Sequence, residues 1–145
     1  MTSPAESLAR LARIGSLKEE ARDQRELEGL LRSGRVRLED ARRAELSAES
    51  RFDLAYNASH ALALAALRHH GYRSDSRYMV FQCLPHTLGV EDEVWRVLAL
   101  CHDRRNRAEY EGIVDIDDQL VEDLLSAAEA VSLRIEELEL LPPEE

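Results

Sequence analysis

Residues 51–71, RFDLAYNASHALALAALRHHG, decide the fold. From Ala55 to Ala66 the apolar residues fall on nearly every side of a helix, and small side chains let neighbouring helices approach closely. That pattern belongs to the central helix of a bundle. Ser47 or Ser50 can cap its start and Gly71 stops it, with Arg68, His69 and His70 in the last turn, where cations complement the helix dipole.

Working outward toward the N-terminus, Leu8, Leu11, Ala12 and Ile14 predict a short helix from Pro4 to Ile14, closed by Gly15. Ser16 and Glu19 have the spacing of a capping box and predict that the next helix starts there, with Leu27, Leu30 and Leu31 on its apolar stripe. Val36, Leu38 and Ala41 prolong the stripe beyond Gly34, so residues 16–45 form either one helix containing a glycine or two joined by a tight turn. On the other side, RSDS is a polar turn, and RYMVFQCLPHTLG (77–89) reads as a helix or a buried strand, with helical neighbours favouring helix. Pro85 ends or kinks it and Gly89 marks its stop. A further helix runs from about Glu91 to Glu111. A last one starts near Asp117 or Asp118, carries Leu120, Leu124, Leu125, Ala128, Val131, Leu133, Ile135 and Leu138, and is stopped by Pro142 and Pro143. Six Gly and four Pro in 145 residues are too few turn formers for an all-β sandwich, and 44% hydrophobic content is too apolar for disorder. The expectation is a single all-α domain without internal repeats.

The formal charge is −10, but it is unevenly spread. Residues 1–50 hold ten basic and ten acidic side chains, residues 51–112 eight of each, and residues 113–145 one Arg against eleven acids. A positive patch on the neutral part is compatible with that distribution, while the acidic end serves solubility. Cys83 and Cys101 are far from any metal-ligand spacing and read as buried free thiols. With no apolar core of a signal peptide and no run of membrane-span length, the expected location is cytoplasmic and soluble, with no membrane partner.

There is no glycine-rich phosphate loop, GxSxG, HExxH or paired CxxC, which removes sequence support from most hydrolase, nucleotidyl-transfer and zinc chemistry. No metal site or cofactor is expected. The densest polar cluster is HDRRNRAEY, residues 102–110. At about 100° per residue, Val94, Leu98, Cys101 and Ala108 share a face, and Arg105 lies near its middle, flanked by His102 and Glu109. A guanidinium on a core stripe must be paired, sit in a cleft or face a partner subunit. Its bland form is an i, i+4 ion pair with Glu109, with Arg104 and Arg107 as ordinary solvated arginines. On the central helix Tyr56, Asn57 and His60 are polar groups among alanines and require hydrogen-bond partners inside the bundle or in a site. His69, His70 and His86 are expected at the surface.

AYNASHALALAALRHHGYR (55–73) and the dipeptide Arg105–Asn106 late in a long helix resemble the HEPN domain family (higher eukaryotes and prokaryotes nucleotide-binding). That family's hallmark is an Arg, a following polar residue that is often Asn, and a His four to six residues beyond the Arg. The resemblance implies an up-and-down bundle of four to five helices over residues 26–140, with residues 1–25 as an N-terminal helical extension and residues 141–145 as a frayed tail. It further implies a homodimer whose two motifs meet in one cleft, acting as a metal-independent ribonuclease or a toxin–antitoxin component. A His takes the proton of a ribose 2′-hydroxyl while an Arg stabilises charge on the phosphate and an Asn positions the substrate. By that resemblance Arg105, Asn106, Tyr110 and His102 are the candidate catalytic residues, and Tyr56, Asn57, His60, Arg104 and Arg107 the candidate substrate contacts. Tyr110 stands where the family has His, and a phenol with pKa near 10 is a poor general base at neutral pH; His102, one turn before Arg105, is the available substitute. The resemblance also implies RNA or a nucleotide as ligand, with no DNA, and a partner nucleotidyltransferase or antitoxin, Tyr110 being a conceivable adenylylation acceptor. A nucleic-acid site calls for a positive region from Arg104, Arg105 and Arg107 together with Arg73 and Arg77. The rival reading is a non-catalytic helical protein-interaction or regulatory module centred on apolar groups such as Trp95.

Overall fold

The computed structural model describes residues 2–139, with the side chain of Glu139 outside the description. The stop at Pro142 and Pro143 and the tail at 141–145 lie outside the described residues. The chain forms α1 (Pro4–Arg13), β1 (Lys18–Glu19), α2 (Gln24–Ala41), α3 (Ala48–His69), β2 (Tyr72–Arg73), α4 (Arg77–Gln82), α5 (Leu84–Thr87), α6 (Asp92–Glu111) and α7 (Asp118–Glu139). Among the described residues the protein is all-α apart from one two-residue antiparallel ladder, in which Lys18 faces Arg73 and Glu19 faces Tyr72.

α3 is the central helix. It packs most extensively on α2 and α7 and also touches α4, α5, α6 and β2. Its Ala-rich stretch is buried on several sides, with Phe52, Ala55, Tyr56, Leu62, Ala63, Ala66 and Leu67 in the core. The Ser47 hydroxyl accepts the Ser50 amide at 3.1 Å and caps its start. α6 ends at Gly112, whose left-handed φ of 70° lets its amide return to the Arg107 carbonyl. Asp117 accepts the Leu120 amide at 2.8 Å and caps α7.

α2 resolves the alternatives for residues 16–45: one helix runs unbroken through Gly34, which faces α3. A Cβ at Gly34 would lie 2.6 Å from Leu62 Cγ, so glycine permits the contact between the two helices. Val36 does not join the stripe and is 52% exposed, and Leu133 of α7 is exposed in the same way.

The predicted capping box at Ser16 and Glu19 does not form. The Leu17 amide returns to Leu11, the Glu20 amide goes to the Gly71 carbonyl, and α2 starts later, at an Asp23 cap. Tertiary hydrogen bonds replace the local signal. Their hub is Arg68, read from sequence as a helix-end cation but only 1% exposed. It donates to Glu26 at 2.5 Å and to the carbonyls of Glu20 and Ala21 at 2.8 and 2.5 Å, and its guanidinium also lies 3.3 Å from the Glu20 carboxylate. Arg73 bonds the same two carboxylates. The segment RYMVFQCLPHTLG forms two short helices, α4 and α5, with Pro85 in the first turn of α5.

Candidate functional site

Tyr56 is the centre of the site. It is fully buried between Phe52, stacked at 6.2 Å, and Phe81, edge-on at 5.9 Å. A buried phenol needs a hydrogen-bond partner, and its hydroxyl lies 2.8 Å from Nδ1 of His102 on α6. One turn further along α6, Asn106 Nδ2 donates to His102 Nε2 at 3.2 Å. With Nε2 accepting, the ring proton resides on Nδ1 and is donated to the Tyr56 oxygen. His102 is thereby held at both nitrogens. Burial, the Arg105 guanidinium and then Arg77 hold its pKa below the usual histidine value, so the imidazole is neutral at pH 7.

Two guanidinium groups approach the Tyr56 ring, Arg105 at 5.3 Å and Arg77 at 5.5 Å. Arg105 is 27% exposed and pairs with Glu109 at 3.2 Å. Arg77 donates to Asn57 Oδ1 at 3.1 Å, and Asn57 in turn donates to the Asp53 carbonyl at 2.8 Å. His60 lies edge-on to Phe81, and burial with the fields of Arg77, Arg105 and His102 pushes its pKa down to about 4. Burial in the bundle raises the Tyr56 pKa and keeps its hydroxyl protonated.

Beside Arg105 a cleft of about 370 Å³ opens between α3, α6 and the segment leading into α7. Glu49, Asp53 and Glu109 border it with Arg105, over Phe52, Val114 and Ile116. Desolvation raises the Asp53 pKa, Arg105 opposes the rise, and Glu49 and Glu109 add to it.

Of the residues singled out in the sequence, Tyr56, Asn57, His102, Arg105 and Asn106 converge, and His60 lies next to them. Arg104 and Arg107 point elsewhere: Arg104 bonds the carbonyl of Asp115 at 3.0 Å and its carboxylate at 3.2 Å, and Arg107 lies 3.8 Å from Glu111. Tyr110 is 78% exposed. Five residues beyond Arg105, it sits about 140° round the helix from it. Arg73 is committed to Glu20 and Glu26 and contributes no open positive surface. Arg77 was visible in the sequence only as one more positive charge, because its approach to Tyr56 depends on how α4 packs against α3. Tyr78 stacks edge-on with Trp95 at 6.2 Å and lies 6.3 Å from His102, making a half-exposed aromatic rim. His70, although exposed, contacts the Thr87 carbonyl through Nε2 at 2.9 Å. Among the described residues no group of three or more His, Cys, Asp or Glu could hold a metal ion, and no helix is long and apolar enough to cross a membrane.

No family model, curated protein or solved structure matches the chain.

Proposed function

We propose that this chain is a HEPN-like module that binds RNA at the Tyr56–His102–Arg105 cluster and cleaves it without a metal, working as a homodimer. The observation that supports this reading is His102: a neutral imidazole with a defined tautomer, hydrogen-bonded on both sides and adjacent to two guanidinium groups. In this scheme His102 Nε2, released from Asn106 as substrate enters, takes the 2′-hydroxyl proton. The resulting alkoxide attacks the neighbouring phosphorus, the bond to the 5′-oxygen breaks, and water supplies the leaving group's proton. Arg105 stabilises the added charge on the phosphate. Its pair with Glu109 is half-exposed and therefore weak and exchangeable. His102 thus takes the role that the Arg–Asn motif would leave to Tyr110. A toxin–antitoxin setting, with an antitoxin or nucleotidyltransferase as partner, belongs to the same proposal.

The test is incubation of the purified protein with single-stranded RNA in EDTA. Wild type is expected to bind and cleave, and Arg105→Ala and His102→Ala to lose cleavage by at least about a hundredfold. Equal behaviour of wild type and both variants overturns the catalytic reading.

One observation favours a second reading, a non-catalytic protein-interaction module. Arg105 is already paired, and Tyr78, edge-on to Trp95 and 6.3 Å from His102, exposes 43% of its surface. Binding to a protein through such groups survives moderate salt, whereas RNA binding weakens steeply with it.

A further inference from the structure

The buried and half-buried arginines of this chain are, with one exception, neutralised. Arg51, Arg68, Arg73, Arg104, Arg105 and Arg107 each have a carboxylate within 4 Å. Arg77 departs from the rule at a half-buried position. Among the described residues its polar partners are neutral, the Oδ1 of Asn57 at 3.1 Å and the Tyr56 hydroxyl, and the Tyr56 ring lies under its guanidinium. A guanidinium taken partly out of water without a counter-ion retains its demand for an anion. Asn57, itself fixed by the Asp53 carbonyl, directs one nitrogen and leaves the planar fork able to make paired hydrogen bonds to a phosphate.

The neighbouring cation is badly placed for the same task. Arg105 opens onto the cleft bordered by Glu49, Asp53 and Glu109, where an entering phosphate meets three carboxylates. We propose that Arg77, aimed by Asn57 and stacked on Tyr56, is the anion-binding group of the cluster and holds a phosphate of the bound ligand, while Arg105 stays with Glu109 until charge develops. This deepens the RNA reading and rests on it for the identity of the ligand, but the anion subsite is testable separately. The field of Arg77 also depresses His60 and His102, consistent with a positive charge that the protein does not cancel. The other charged or titratable groups acting on these imidazoles are Arg105 on both, His102 on His60, and Asp103 on His102.

The experiment follows the ring signals of His60 and His102 by NMR in the full chain while inorganic pyrophosphate is added, alongside anisotropy of a labelled uridine decamer in EDTA. In the wild type, pyrophosphate is expected to raise the pKa of both imidazoles by screening Arg77. Arg77→Gln is expected to weaken pyrophosphate and decamer binding by about tenfold or more and to lower the salt slope by about one. Arg77→Lys, which keeps the charge without the fork, should bind at an intermediate level and controls for misfolding. Arg96→Gln, an exposed charge paired with Asp92, should stay within about threefold of wild type. Wild-type binding in both Arg77 variants overturns the proposal, as does a wild-type protein that ignores pyrophosphate. Cleavage of RNA with full binding in Arg77→Gln overturns this subsite and leaves the RNA reading standing. Pyrophosphate binding that depends on Arg77, without decamer binding, upholds the subsite and overturns the RNA reading.

Discussion

Gly34 of α2 and Leu62 of α3 meet without room for a single additional carbon: a Cβ on Gly34 would come within 2.6 Å of Leu62 Cγ and 3.3 Å of the Ala58 carbonyl. Because Leu62 is fully buried, it has nowhere to retreat. Gly34→Ala should therefore destabilise the fold by about 1–3 kcal/mol from overpacking, despite the better helix propensity of alanine. Gly29, in the same helix with nothing within 4 Å of an added Cβ, is the matched control. Gly29→Ala should stabilise by about 0.5–1 kcal/mol. Urea titrations of the two variants check both signs.

Arg68 supplies a second stability prediction. Arg68→Leu strands the carbonyls of Glu20 and Ala21 and removes the partner of Glu26, so a loss of about 3 kcal/mol or more is expected. Amide exchange should accelerate first at residues 18–20. A variant within about 1 kcal/mol of wild type would contradict the role assigned to this side chain.

His60, His102 and Glu26 each make the fold sensitive to acid. His60 titrates at about 4 in the folded chain against 6.5 when free, so between these values the unfolded chain binds more protons. Its contribution is fully present above about pH 6.5, falls as pH drops, and levels off below about 4, for a total of up to about 3 kcal/mol. The hydrogen bond from Arg68, with Arg73 assisting and burial opposing, lowers the Glu26 pKa. That contribution is present above the ordinary glutamate value of 4.5 and disappears below it. His60→Leu should reduce the slope of the stability curve between pH 4 and 6.5, His102 keeping part of it, and Glu26→Gln should reduce only the more acid limb.

At the site, Tyr56→Phe should leave His102 Nδ1 without its partner and cost about 1–2 kcal/mol, with a change in the ring-nitrogen shifts that report the tautomer. Any RNA cleavage should fall with it.

Tyr110→Phe should leave stability, RNA binding and cleavage within about twofold of wild type, because the ring is exposed on another side of α6. A large loss of cleavage in this variant would return the general base to the position given by the family motif.

The long helices α3, α6 and α7 are legible in the sequence because their determinants are local: small or periodic apolar residues, the Ser47 and Asp117 caps, and Gly112. The start of α2 is not. Ser16 and Glu19 carry a valid capping pattern, but the Glu20 amide and carbonyl are claimed by Gly71 and Arg68, roughly fifty residues away in the chain. The site divides in the same way. Residues 102, 105 and 106 share a helical face and are found by counting. Arg77 enters from α4, and nothing in RYMVFQ shows that its first residue will lie over the ring of Tyr56. A motif counted in residues also omits angle, which separates Tyr110 from Arg105 on a helix where the sequence places them close together.

The hydrogen bonds gathered by Arg68 also decide where this protein can be cut. A fragment beginning at Asp23 would preserve all four long helices, yet it would discard the Glu20 and Ala21 carbonyls that shield one guanidinium in the interior. Shortened versions that treat the first twenty-two residues as a dispensable leader should therefore be unstable, and protease trimming in that stretch would act on the end of the central helix.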